Sequence, residues 1–216
     1  MHFVDILWIF LLLAAIQPVI HRKKLEASRE RASSRIERKR KSRVLNLIFR
    51  EEVMSFLGFP LLRYGRINDP EGVIRALEMT DPAVKVDVIL HVPEGVSVMP
   101  EELAMAVARR LSKRKGSVAV HVPHYAFSSS SLMALVADEI YMGENAVLGQ
   151  VDEGMLERLA SINLIDDKRL QRLEKLKGGK KFFVEDLRNL GVEVRNEEAE
   201  VMKSMSLYPQ PFRVSR

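Results

Sequence analysis

The residues of this chain that could do chemistry are gathered in two short segments. They are His91-Val92-Pro93-Glu94-Gly95-Val96 and Pro123-His124-Tyr125-Ala126-Phe127-Ser128-Ser129-Ser130-Ser131. Each follows an apolar run with strand character, and in an open parallel sheet ligands bind at the carboxyl ends of the strands. The second segment delivers serines to the start of a predicted helix, where backbone N–H groups and the helix dipole favour an anion. A serine hydroxyl beside free amides has the parts of a nucleophile and an oxyanion hole. Serine is equally an ordinary N-cap, which accounts for the same residues with no chemistry at all. Both readings stand on the residues alone.

A serine nucleophile needs a base. All five histidines precede Ser128; His124 shares its loop and His121 lies in the strand before it. Among the lysines, Lys168 is the best placed along the chain, forty residues after Ser128. A lysine base must be pushed toward its neutral form by burial or by nearby positive charge. Asp166 and Asp167 work against that at Lys168, while Arg169 works for it. The chain has no cysteine, which removes disulfides, thiol catalysis, iron–sulfur clusters and cysteine-ligated zinc. Asp138-Glu139 reads as a structural pair at a helix end, so no metal is expected. No Walker loop or glycine-rich dinucleotide fingerprint is present, so no nucleotide or other cofactor is expected either.

The elements that must position these loops alternate. Val44–Phe49 has strand character, and Asp69-Pro70 opens a helix with a capping residue and a proline at the first helical position. Lys85–Val92 and Ser117–Val122 read as strands, with an amphipathic helix over Pro100–Lys113 between them. Ser128–Ala137 reads as a small helix, Glu139–Met142 as a strand, Glu153–Lys177 as helix, and Val184–Leu190 as a last short helix. Strands separated by helices of this size imply βαβ units and a parallel sheet in an α/β fold.

The first fifty residues are different in kind. Phe3–Ile20 is apolar apart from Asp5, Gln17 and Pro18, a run that suits a membrane-spanning helix near the lower length limit. Residues 21–43 carry eleven basic and three acidic side chains, leaving 23 basic and 26 acidic elsewhere. The overall charge of +5 is therefore local, and the body has no electrostatic pull on nucleic acid. The organisation expected is an anchor over 1–20, a basic, solvated helical stalk over 21–43 and a globular domain over 44–216. Residues 3–20 would enter the lipid and the basic strip 21–43 would lie on anionic headgroups. The positive-inside rule then puts a single-pass protein in the cell membrane, N-terminus outside and body in the cytoplasm.

The run VDVILHVPEG … VAVHVPHYAFSSSSLMALVADEIYMGENAVLGQVD resembles the serine dehydrogenase proteinase family, of the Clp protease and crotonase superfamily and related to signal peptide peptidase A. LWIFLLLAAIQPVI is similar to that family's anchor, REEVMSFLGFPLLRYGRI to its next segment, and LYPQP to its ending. The resemblance implies a ClpP/crotonase-like spiral of ββα units, assembly into a homo-oligomer, a serine nucleophile with a lysine base, and a peptide or protein substrate. Ser128 matches the nucleophile. Gly95 matches the second glycine of a PGG motif whose backbone forms part of the oxyanion hole, and the Ser129 amide would be the other donor. Tyr125 and Ala126 match the approach to the nucleophile.

The chain also departs from the pattern. Glu94 stands where the first glycine of PGG is expected, and Ser129-Ser130 replace two glycines after the nucleophile. The stretch that would supply the lysine is short, only 25 residues lying between Asp152 and Gly178. Two readings follow. One is a membrane-anchored serine peptidase acting by Ser128 and a lysine base. The other is a membrane-bound oligomeric scaffold or regulatory subunit of the same fold with its chemistry lost, toward which Glu94, the serine run and the short base-bearing stretch lean.

Overall fold

A computed structural model describes residues 3–56, 59–67, 70–96, 101–127, 129–149, 154, 157 and 181–208, with only the backbone given along 51–67. The chain opens with α1 (Phe3–Arg40), then β1 (Ser42–Phe56), β2 (Phe59–Ile67), α2 (Pro70–Met79) and β3 (Lys85–His91). Next come α3 (Glu101–Ser112), β4 (Val118–Val122), β5 (Tyr125–Ala126), α4 (Ser129–Leu135), β6 (Glu139–Met142) and β7 (Val147–Leu148). After the next described stretch begins, β8 (Phe182–Phe183), α5 (Val184–Asn189), β9 (Val194–Asn196) and α6 (Ala199–Met205) follow.

Six strands form one sheet in the order β2-β1-β3-β4-β6-β9; β1 and β2 pair antiparallel and every other neighbour is parallel. A second sheet, β5-β7-β8, stands at the carboxyl ends of the first. Strand β4 is buried at every residue and β3 at all but Lys85, as expected for parallel strands covered on both faces. On one face Leu47, Val88, Leu90 and Val120 pack into the main core. Ala104, Val107, Ala108 and Leu111, at helical spacing on α3, close over them. On the other face Val44, Ile48 and Ile89 meet Ile36 of α1 and Val201 and Met205 of α6.

The predicted α/β class and parallel sheet are present. β4 is followed by β5 and α4, while β3 is followed by an isolated bridge from Val92 to Ala126 and then α3. The predicted helix over Glu153–Lys177 falls almost entirely outside the described residues.

The N-terminal third departs from expectation. Residues 3–20 are the first half of α1, which continues without a break to Arg40. Among the described residues no helix is long and apolar enough to cross a membrane, so the expected transmembrane helix is not found there. Nine of the side chains in 3–20 lie outside the description. The basic segment is not a solvated stalk. Arg29, Ser33, Ile36 and Arg40 lie along one stripe of the helix, and that stripe docks on the body. Arg29 Nε donates to the Leu207 carbonyl at 3.0 Å, Asn46 Nδ2 to Ser33 Oγ at 2.9 Å, and Arg40 Nε to Asp87 Oδ2 at 2.9 Å. Polar side chains anchor this face, so its amphipathic character is hidden from any count of apolar residues.

Candidate active site

The two segments singled out by their chemistry are stitched together by backbone. Val92 N–H donates to the Tyr125 carbonyl at 2.9 Å, and Phe127 N–H donates back to the Val92 carbonyl at 3.2 Å. Gly95 sits at φ +78° in a turn that closes from Val96 N–H to the Pro93 carbonyl. A positive φ at the third turn position is the type II arrangement, which glycine adopts without strain. A Cβ built at Gly95 would touch nothing within 4 Å, so the glycine is required by conformation and the space above it is open.

The serine run divides into parts with different tasks. Ser130 Oγ donates to the Phe127 carbonyl at 2.6 Å and Ser131 Oγ to the Ala126 carbonyl at 2.9 Å, both side chains buried. These two hydroxyls fasten the first turn of α4 to the loop before it. Ser129 opens α4, with its side chain outside the description, and Ser128 itself lies outside the described residues. Gly149 is packed so closely on Phe127 that an added Cβ would lie 2.3 Å from its ring carbon Cδ1.

The carboxylate of Glu94, the departure at the turn, is engaged by a lysine. Its Oε2 accepts from Lys181 Nζ at 2.5 Å, and both side chains are about half exposed. The same Nζ lies 5.6 Å from the centroid of the Phe127 ring.

Two histidines, His91 and His124, lie at these loops. His91 is buried, neither ring nitrogen has a hydrogen-bond partner among the described residues, and the His124 ring stands edge-on at 5.5 Å. Burial, with the neighbouring His124 charge, lowers its pKa to about 4, so it is neutral and a weak base near pH 7. Burial also lowers His124. His121 belongs to a separate buried network on the α1 side of the sheet. Its Nδ1 lies 2.8 Å from Glu197 Oε1 and its Nε2 3.5 Å from Asp87 Oδ1, while its ring stacks on Tyr141 at 4.7 Å. Burial opposes the charged imidazole, but the two carboxylates outweigh it and raise the pKa. Asp138 is structural, its Oδ2 accepting Val118 N–H at 2.7 Å.

A profile of ClpP-like SDH-type serine proteinases matches residues 1–175. The chain belongs to that family. Two proteins of Methanocaldococcus jannaschii, the uncharacterized proteins MJ1495 and MJ0137, are 39% and 35% identical to it over 145 residues. The match takes in 67% of this chain and 48% and 49% of theirs, so the chain spans about half the length of the curated relatives it matches. Among solved structures, a membrane-bound stomatin-specific protease in complex with a substrate peptide superposes with TM-score 0.47 at 17% identity, covering 67% of this chain and 78% of that one. An enoyl-CoA hydratase from Bacillus anthracis gives 0.45 at 11% identity, covering 73% and 74%. At these scores neither neighbour carries any chemistry across. The family is shown by the profile and the architecture by the strand order.

Of the site residues expected for this proteinase family member, Gly95 and the backbone of Ser129 lie at the two joined loops, while Ser128 and Lys168 lie outside the described residues. Spacing along the chain does not single out Lys181, which follows Gly178-Gly179-Lys180 and contacts Glu94 and Phe127. Nor does spacing reveal the Asp87–His121–Glu197 network. The signal for that was present, since Asp87 and His121 are single polar residues inside otherwise apolar parallel strands.

Proposed function

We propose that this proteinase-family chain is a serine hydrolase of peptide bonds. In this reading Ser128 is the nucleophile, the amides of Gly95 and Ser129 receive the oxyanion, and a lysine takes the serine proton. The observation that carries the reading is the backbone exchange between Val92 and the 125–127 segment, which holds the Gly95 turn beside the residue that precedes Ser128. Preorganised amides aimed at developing charge are worth about 3 kcal/mol each in acyl transfer. Glu94 does not undermine this, because its carboxylate is engaged by Lys181 and turned to solvent.

The first half of α1 is read as the anchor to a lipid membrane. Trp8, Phe10, Leu12, Leu13 and Ile16 are exposed at positions that go well round the helix, Trp8 at 67% and Phe10 at 64%. A helix apolar on most sides needs surroundings other than water. The basic residues that follow favour the cytoplasmic side for the body. The family resemblance adds a homo-oligomer, with a peptide or protein as substrate.

Fluorophosphonate labelling of the full chain in detergent, run beside Ser128→Ala, tests the chemistry. Label on the wild type that is absent from the variant is the expected result. A folded wild type that takes no label would sink the hydrolase reading and leave the scaffold.

A further inference from the structure

His91 takes no part in the serine chemistry proposed above. It is the last residue of β3, paired with Ile48 of β1. By the alternation of a strand it shares a face with Asp87 and Ile89, opposite Leu90 and Val92, which enter the main core. Its side chain is buried at 1% exposure, yet neither Nδ1 nor Nε2 has a hydrogen-bond partner among the described residues. Buried polar groups are nearly always paired, and one that is not calls for an explanation such as a bound ion or water. The other polar groups of this face are committed elsewhere. Asp87 is engaged by Arg40 and Ser42, and His121 by Glu197.

The neighbours of His91 are rings carried by the loop after β4. The ring centres of His91 and His124 are 5.5 Å apart, and the Tyr125 ring lies 5.8 Å from the first and 6.3 Å from the second. A tetrahedral ion with two imidazole nitrogens about 2.0 Å away holds their ring centres roughly 5 Å apart. The observed spacing is close to that. The backbones that carry the two imidazoles are fixed independently of any ion. β3 is held in its ladder to β1, the His124 carbonyl accepts Val147 N–H at 2.8 Å, and the Tyr125 carbonyl accepts Val92 N–H at 2.9 Å. His124 and Tyr125 are half-buried, so the cluster reaches solvent through them. Among the described residues no group of three His, Asp or Glu side chains is placed to hold a metal. The pair therefore offers two protein nitrogens and leaves the other positions of an ion to water.

We propose that His91 and His124 together bind one divalent transition-metal ion of the zinc class, beside Tyr125. Imidazole nitrogen suits zinc, copper and nickel, whereas magnesium and calcium take oxygen ligands. The ion ties the end of β3 to the loop that follows β4. Positions left to water make this an open site, unlike a structural zinc centre closed by four protein ligands. The inference stands apart from the hydrolase reading, since neither ligand takes part in that chemistry.

The test uses the full chain in detergent, stripped with EDTA, desalted and titrated with Co2+, then with Zn2+ as competitor. A single equivalent of Co2+ is expected to bind with visible absorption bands, and Zn2+ is expected to displace it. Zn2+ is also expected to raise the melting temperature, because a ligand bound only by the folded state stabilises it. His124→Gln and His91→Gln are each expected to weaken Zn2+ binding by at least about a hundredfold. Even partners that merely orient a metal ligand are worth about 10- to 100-fold. His124 is half-buried, so His124→Gln is expected to keep its metal-free melting temperature and to report on the site even where the buried His91→Gln variant fails to fold. His121→Gln, in the separate network, is expected to bind as wild type does. A folded wild type that takes up neither ion overturns the proposal and leaves water as the partner of His91. Binding unchanged in His124→Gln overturns it as well, placing the ion elsewhere on the chain.

Discussion

Arg40, the last residue of α1, donates from Nε to Asp87 Oδ2 at 2.9 Å, with the arginine side chain 8% and the aspartate 0% exposed. Ser42 Oγ and the Arg40 guanidinium satisfy the same carboxylate oxygen, while another guanidinium nitrogen of Arg40 reaches Glu198 just before α6. The contact joins the N-terminal helix, a central strand and the C-terminal helix at one point. It is what turns the basic collar from a stalk into part of the body.

Breaking a buried pair by removing one partner leaves an uncompensated charge, so Arg40→Ala is expected to cost about 3 kcal/mol. Asp87→Asn in the same background is expected to recover part of that loss, because the buried carboxylate that has lost its arginine, though not its contacts to Ser42 and His121, is then gone. Chemical denaturation of the four members of the cycle measures the coupling. Limited trypsin digestion is expected to cut within 21–40 faster in Arg40→Ala than in wild type. Equal digestion rates would show that α1 is held without this pair.

The neighbouring His121 gives the fold a pH dependence. Two carboxylates, Asp87 and Glu197, raise its pKa above the ordinary 6.5 against the pull of burial. The folded state therefore holds the proton more tightly than the unfolded chain. Its stabilisation is complete below pH 6.5 and is lost as pH rises through the raised value. Asp87 acts at the other end. Burial would raise it, but His121, Arg40 and Ser42 hold it down at about 2, so its contribution stands above pH 3.8 and disappears as pH falls toward 2. Thermal unfolding from pH 3 to 9 is expected to show a midpoint that declines on both sides, and His121→Gln is expected to flatten the alkaline decline. An alkaline decline unchanged in His121→Gln would place its source elsewhere.

The sequence made the sheet legible because β3 and β4 are short apolar runs bounded by turn residues, and α3 shows its buried face at plain helical spacing. The β1–β2 hairpin was not readable, since REEVMSF and FPLLRYGRI show no clean alternation, and the Leu57-Gly58 pair between them is not one of the Asn-Gly, Asp-Gly or Gly-X pairs that mark a two-residue hairpin turn. The docked face of α1 was hidden for another reason. Of Arg29, Ser33, Ile36 and Arg40 only one is apolar, so the helix binds the body through hydrogen bonds that hydropathy does not register. At the site, Gly95 was legible through the family resemblance, which matches it to the second glycine of a PGG motif. Lys181 was not, because its neighbourhood to Phe127 follows from the register of two-residue strands too short to leave a pattern.

The oxyanion turn offers a test of backbone against side chain. Gly95 lies at φ +78° with open space around its Cα, so Gly95→Ala meets no clash but must take a left-handed conformation. That costs roughly 1 to 2 kcal/mol for an L-residue. The variant is expected to stay folded, with a melting temperature lowered by several degrees, and to label with fluorophosphonate much more slowly than its stability loss explains. Labelling at the wild-type rate would remove the Gly95 amide from the oxyanion hole.

Gly149 presents the opposite case, in which space and not conformation is limiting. Its φ is unremarkable, but an added Cβ would lie 2.3 Å from Phe127 Cδ1 and 2.8 Å from Phe127 Cα. One of these atoms is backbone, so a rotamer change cannot relieve the contact and β5 must move away from β7. Gly149→Ala is therefore expected to destabilise by about 1 to 3 kcal/mol, the usual range for overpacking. Because Phe127 leads directly into Ser128, labelling should fall with it. Phe127→Ala in the same background removes the ring contact but not the backbone one. It is expected to restore stability only in part and to leave labelling low. Full recovery of both would show that the ring alone fills the space beside Gly149.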